Sequence, residues 1–269
     1  MTAFANHTFI ELRSSLRNRQ LLFLTYAFPL AFYAMMGLIM TQINPLFTAT
    51  MIPAMVIFAA MIGTLMGLPD PLVTARDAGI FRSFKIGGVP AVNILSVPTL
   101  TTFLHVLVVT VIILATATPL FGAPAPVNWG WFAIITLASI LAFAGLAVLI
   151  GVVASSSRAT LLWSQLIFLP SMLLSGLMMP FAMLPPGAQT IARLLPATYA
   201  MDAYTGLAYG VPATFNPLTS LGLLVIGGLL ALVLAVLLFN WDRSNRTARL
   251  HPAVALLAAV PYVLGMVLL

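Results

Sequence analysis

Residues 131–154 read WFAIITLASILAFAGLAVLIGVVA, without one charged side chain. A bilayer core about 30 Å thick is crossed by roughly 20 apolar residues in a helix rising about 1.5 Å each. Five further runs of this kind occur, at 21–40, 51–68, 94–121, 161–181 and 218–239. Pro98, near the start of the third, predicts a kink or a late beginning there. The whole chain agrees with these runs. It has 269 residues, of which 62% are hydrophobic and 6% charged, where a soluble domain carries about 25% charge. That excludes a soluble protein and a disordered tail. The formal charge of +6 does not make a nucleic-acid surface, because the basic residues sit between apolar runs and form no continuous patch. Zero cysteines exclude disulfides, thiolate metal sites and cysteine nucleophiles.

The predicted fold is all-α and integral to the membrane, a single domain over 1–269 with six crossings in 21–240. Residues 1–20 read as an interfacial helix. Phe9, Leu12 and Leu16 share one face, with Glu11, Arg13 and Arg17 elsewhere on the wheel. The basic stretch is followed by too long an apolar run, and by no A-x-A site, for a cleaved signal. Residues 253–269, with Pro261 inside, are at the lower limit for a span, and their freedom from charge favours a seventh crossing. With the N-terminus in the cytoplasm, Arg13, Arg17, Arg19, Arg76, Arg82, Lys85, Arg158, Arg243, Arg246 and Arg249 all fall inside and only Arg193 outside. Trp129, Trp131 and Trp241 then fall at interfaces. No internal repeat is evident.

Several chemistries are missing. A P-loop needs a lysine after glycine, and the sole lysine, Lys85, follows Phe84. No G-x-S-x-G or H-E-x-x-H occurs. No catalytic, cofactor-binding or metal-binding residue is therefore expected. His105 falls in the third span, either as a neutral imidazole bonded to a neighbouring helix or as a functional group. A His–Ser pair in an intramembrane enzyme is the remotest alternative. Asp70, between Pro69 and Pro71, marks a turn.

Two polar segments carry the remaining information. Residues 74–90 read TARDAGIFRSFKIGGVP, in the loop after the second span. Ile80, Phe81 and Phe84 place an apolar ridge on a short helix while Arg76, Arg82 and Lys85 stay wet. Such a helix suits a groove on a partner; a solvated loop that only sets topology is the other reading. After the fifth run, Pro180, Pro185, Pro186 and Pro196 break the chain repeatedly. Residues 187–195 can form a short helix with Ile191, Leu194 and Leu195 on one face, dipping back into the membrane. Arg193 and Asp202 either pair across this segment or remain two solvated charges. Gly63-x-x-x-Gly67 and Ala147-x-x-x-Gly151 permit close helix contacts. Ser164, Gln165, Ser171 and Ser175 can bond across helices or line a path.

The first of these segments resembles the coupling region of permease subunits of type-2 ABC exporters, R-[DE]-x-G-x-x-[KR], here Arg76, Asp77, Gly79 and Arg82. The second is similar to the same family in Leu174-Ser-Gly-Leu-Met-Met-Pro180, Leu184-Pro185, Leu195-Pro-Ala-Thr-Tyr199 and Asp202. The resemblance covers roughly residues 1–245. It departs at Ala203-Tyr204-Thr205-Gly206, where the family often has a basic residue, and in the apolar tail after Arg249. The resemblance implies a permease dimer, of like or unlike copies, in a bacterial plasma membrane. It implies a separate cytoplasmic ATPase that binds ATP and Mg. It implies coupling through Arg76, Asp77, Gly79, Phe81, Arg82 and Lys85, and an outer gate at Pro185, Arg193, Pro196, Tyr199 and Asp202. Spans with so little buried charge point to an apolar or amphipathic cargo, drug-like or lipid. The alternative is an ATP-independent secondary transporter or channel, which the lack of repeats and of buried ionisable groups disfavours.

Overall fold

A computed structural model describes residues 3–44, 46–242 and 250–268. Arg243, Arg246 and Arg249, counted above among the cytoplasmic charges, lie outside the described residues. The described residues are helical throughout their regular structure: α1 (Ala3–Ser15), α2 (Arg19–Ile43), α3 (Leu46–Asp77), α4 (Ile80–Ile86), α5 (Ala91–Phe121), α6 (Trp129–Val153), α7 (Ser157–Leu174), α8 (Pro186–Ala192), α9 (Pro196–Ala203) and α10 (Pro217–Leu237), followed by a 3-10 helix (Pro252–Ala259) and α11 (Val260–Leu268). Five of these, α2, α3, α5, α6 and α10, are long and apolar enough to cross a membrane. The run 161–181 folds differently from expectation. Its helix α7 begins earlier, at Ser157, and stops at Leu174, where Gly176 turns the chain at φ +84°.

Local chemistry explains the starts. Asn18, Asn128, Ser156 and Asn216 each accept a backbone N–H of the first turn of α2, α6, α7 and α10 through their side chains. Three π turns interrupt the helices, at Phe23–Ala27 in α2, Ile62–Met66 in α3 and Tyr204–Ala208 after α9. The first precedes Pro29 and the second Pro69. Proline has no N–H and its ring crowds the carbonyl four residues back, so the ladder loses a bond there. Pro53, Pro98, Pro119 and Pro170 nonetheless lie inside helix, and α5 begins at Ala91, ahead of Pro98, rather than late.

Helix α3 is the axis of the molecule, with Met51 to Met61 buried on every side. Helices α6 and α10 make the closest crossing. A Cβ on Gly145 would lie 2.5 Å from the carbonyl oxygen of Gly228, and one on Gly228 would lie 2.9 Å from the backbone nitrogen of Ala142. Substitution Gly145→Ala is expected to lower stability in detergent micelles by about 1–3 kcal/mol through overpacking. Gly222→Ala in the same α10 faces open space and should leave the thermal midpoint unchanged. The two small-residue pairs read from sequence also serve contacts within the chain. Gly63 faces Val106 of α5, and Gly151 faces Leu72 and the Pro69 carbonyl of α3.

The ends of the chain pack on this bundle. Along α1, Phe9, Ile10 and Leu16 are exposed, while His7, Glu11 and Leu12 are half-buried and Ser15 is buried. Leu12 therefore turns towards the protein rather than sharing the outer face with Phe9 and Leu16. At the other end, the 3-10 helix and α11 run antiparallel to α10. Pro252 shares a cavity with Leu238, Tyr262 abuts Gly227, and Gly265 abuts Leu223.

Candidate functional site

The first expected site is at the end of α3. Arg76 is 8% exposed, which corrects the expectation that it stays wet. Helix α6 ends at Val153 with carbonyls that no helical N–H can reach. The Arg76 guanidinium closes that end, donating from Nη1 to the Val152 carbonyl at 3.2 Å and from Nη2 to the Ala154 carbonyl at 2.9 Å. Its charge also sits at the negative end of the α6 dipole. Asp77 accepts from Nε at 3.2 Å. Gly79 then turns the chain at φ +74° into α4, a conformation that disfavours a side chain.

Helix α4 is held by four contacts. Phe81 is buried with its ring 5.3 Å from Phe239. Arg82 pairs with Asp242. The Lys85 ammonium lies 5.9 Å from the centre of the Trp241 ring. His7 of α1 packs its ring 5.4 Å from Phe84. The expected ridge is thus split, because Phe81 belongs to the protein's own core. The apolar residues left facing outward are Ile80 at 47% and Ile86 at 83% exposed.

Helix α1 is also pinned further along. His105 of α5 is buried, with Nε2 2.8 Å from the Ser15 hydroxyl and Nδ1 2.6 Å from the Tyr26 hydroxyl. Ser15 already donates to the Leu12 carbonyl at 2.8 Å, so it accepts from Nε2–H and Tyr26 donates to Nδ1. The imidazole connects α1, the π turn of α2 and α5.

The second site lies between α7 and α10. Helix α8 follows Pro185, and α9 begins at Pro196, close to the break pattern read from the prolines. The chain turns back between α8 and α9, and this hairpin packs against α6, α7 and α10. At its far end the Ala208 carbonyl accepts from Asn128 N–H, just before α6. Further along, Tyr204 and Thr136 share a hydroxyl hydrogen bond of 2.7 Å. At its tip Pro196 meets Leu146 and Leu149 of α6 in one apolar groove. Every residue of α9 is buried.

Arg193 and Asp202 do not pair, and Asp202 is not solvated either. Asp202 is buried and accepts from the Phe215 N–H and the Ser220 hydroxyl, both at 2.8 Å. It therefore ties α9 to the first turns of α10. Arg193 lies 5.5 Å from the centre of the Phe215 ring. Tyr199 is fully buried and donates to the Arg193 carbonyl at 2.5 Å. Thr198 donates to the Ala192 carbonyl at 2.6 Å and so accepts from the Ser175 hydroxyl, 3.0 Å away at the end of α7. Ser175, Thr198 and Asp202 border a cavity of about 170 Å³, lined also by Asn44, Thr50, Met178, Met201 and Phe215. Of the polar residues read in the fifth run, Ser175 meets Thr198, whereas the Ser171 hydroxyl and the Gln165 side-chain oxygen are buried without a partner among the described residues.

A family model described as ABC-2 type transporter matches residues 6–209. The chain belongs to that family. No curated protein and no solved structure matches it. The matched region takes in most of α1, the Arg76–α4 segment and the α8–α9 hairpin, and stops before α10. As a permease subunit of an ABC-2 type transporter, the chain is a multi-pass membrane component of transport and is not itself catalytic. Permeases of this family typically pair with an ATPase subunit. Sequence alone missed the capping role of Arg76, since nothing in the spacing says that the open end of α6 lies within its reach. It missed the His7–Phe84 contact for the same reason.

Proposed function

We propose that this permease is the membrane half of an ATP-driven exporter in a bacterial plasma membrane, with its N-terminus in the cytoplasm. Two copies form the pathway. A separate ATPase, which binds ATP and Mg, docks on α4, and the cargo is an apolar or amphipathic small molecule or lipid. The observation that carries this reading is the mounting of α4. The helix is fixed from behind by Phe81, Arg82, Lys85 and Phe84, while Ile80 and Ile86 project from it. A push on those two residues moves α4 and, through the turn at Gly79, the Arg76 cap on α6. It also reaches α1 through His7, and α5 through the Ser15–His105 bond. The α8–α9 hairpin, which runs along α6 from Leu146 and Leu149 at its tip to Asn128 at its far end, serves as the outer gate, with Pro185, Arg193, Pro196, Tyr199 and Asp202 setting its shape.

The test is purification of the tagged chain in mild detergent after co-expression with candidate ATPases. A P-loop ATPase retained at equal stoichiometry is the expected result. Ile80→Asp combined with Ile86→Asp should reduce the retained ATPase about tenfold or more, because charge at the apolar centre of a helix-in-groove contact is left desolvated. Membrane insertion should be unchanged, since both side chains are exposed. A wild-type chain that purifies alone would favour the ATP-independent transporter.

A further inference from the structure

The apolar segment after α10 lies outside the region matched to the family, yet it touches the hairpin read as the gate. Its contacts with α10 form an ordered ladder. Pro252 lies beside Leu238, Tyr262 against Gly227 and Gly265 against Leu223, so residue numbers rise on one helix as they fall on the other. The ladder covers α10 from its last turn to within two turns of its start. Length permits this only because of the local geometry. A 3-10 helix rises about 2.0 Å per residue and an α-helix about 1.5 Å, so Pro252–Ala259 and Val260–Leu268 together reach about 30 Å. The looser pitch lets a segment of marginal length match a bilayer core.

Where the segment turns α-helical, it meets the hairpin. The Tyr262 ring stacks on Tyr199, with centroids 6.0 Å apart and planes 25° from parallel. The Tyr262 backbone carbonyl lies 3.5 Å from the Tyr199 hydroxyl. Gly265 lets that hydroxyl approach, since a Cβ there would stand 2.5 Å from it. On its other side the Tyr262 hydroxyl abuts Gly227 of α10 and has no hydrogen-bond partner among the described residues. Tyr262 is thus wedged between α10 and α9 by shape and stacking rather than by a polar bond.

We propose that residues 252–268 form a further membrane crossing that straps the re-entrant hairpin to α10, with Tyr262 as a positioning residue for the outer gate. Tyr199 is then held from two directions, by its own hairpin through the Arg193 carbonyl and by the strap through Tyr262. Movement of α9 away from α10 must break the stack. The gate assignment rests on the function proposed above, but the strap is tested without cargo, nucleotide or ATPase.

The chain has no cysteine, so single introduced thiols report cleanly. In right-side-out membrane vesicles, a cysteine appended after Leu269 should react with a membrane-impermeant maleimide before permeabilisation. A second probe, Ser175→Cys, sits at a buried position bordering the cavity beside Thr198. Its labelling rate should rise about tenfold when Tyr262→Leu removes the stack but keeps apolar bulk. Tyr262→Phe should leave the rate at the wild-type value, because the hydroxyl it removes has no partner. The appended cysteine in the Tyr262→Leu background separates loosening of the gate from failure to insert. Labelling of the appended cysteine only after permeabilisation would overturn the crossing. A Ser175→Cys rate unmoved by Tyr262→Leu, or raised equally by Tyr262→Phe, would overturn the strap. Neither result would bear on whether an ATPase docks on α4.

Discussion

Arg76→Ala should destabilise the protein by about 3–5 kcal/mol, a larger effect than that expected at the crossing of α6 and α10. The side chain has a structural duty that its place in a basic loop conceals. Two carbonyls at the end of α6, those of Val152 and Ala154, have the guanidinium as their donor. Removing it leaves both acceptors facing a partly buried cavity and strips the α6 terminus of its counter-charge. Arg76→Lys should recover part of the loss, since an ammonium restores charge but cannot fork to two carbonyls in one plane. Urea or thermal unfolding in micelles reads the stability. If Arg76→Ala unfolds like wild type, the caps are satisfied by water and the guanidinium is dispensable for stability. The same variant should also weaken any signal passed from α4 to α6, and the Lys variant separates the two effects if it restores stability but not coupling.

The second large effect is expected at Asp202. Its two oxygens each accept one hydrogen bond, from the Phe215 N–H and the Ser220 hydroxyl. Asp202→Ala leaves both donors unpaired at a buried helix junction, a cost of about 2–5 kcal/mol. Asp202→Asn keeps one carbonyl oxygen and places an NH2 where the other oxygen stood. If the oxygen stays with Phe215, Ser220 can rotate its hydroxyl to accept, so the loss should be closer to about 1 kcal/mol. Limited proteolysis of the segment between α9 and α10 gives a local readout. Cleavage in residues 209–216 should accelerate in the Ala variant and much less in the Asn variant. Equal cleavage in both would mean that the carboxylate charge, and not its acceptor geometry, holds the junction.

The parts of this molecule that were legible in the sequence share one property: they depend on neighbours along the chain. Apolar runs marked the five long helices α2, α3, α5, α6 and α10. The prolines at 180, 185, 186 and 196 gave the break and return of the hairpin. What was illegible depends on neighbours in space. Arg76 and Arg82 look alike in the sequence, yet one is buried on a helix end and the other pairs with Asp242 at the surface. Phe81 and Ile80 are adjacent apolar residues, and only the position of Phe239 decides which of them faces inward. Arg193 and Asp202 carry opposite charges nine positions apart, but the open N–H groups ahead of α10 compete for the carboxylate and win. The end of α7 was misplaced by a run of hydropathy that continues past Leu174, where backbone geometry at Gly176 stops the helix. The 3-10 pitch of Pro252–Ala259 was equally hidden, because alanine and leucine there read as ordinary α-helix.

The π turn in α2 has a consequence for how this chain tolerates changes in length. It holds one residue more than the α-helical turn it replaces, and regular helix runs on both sides of it, at Arg19–Leu22 and Phe28–Ile43. The turn at Ile62–Met66 differs, because the helix is left at Gly67 and Leu68 before Pro69 restarts it. An ordinary transmembrane helix that loses a residue rotates everything beyond the deletion by about 100° and presents the wrong face to its neighbours. Loss of one residue within Phe23–Ala27 would instead be absorbed where the surplus is stored, with both flanks keeping their angular setting.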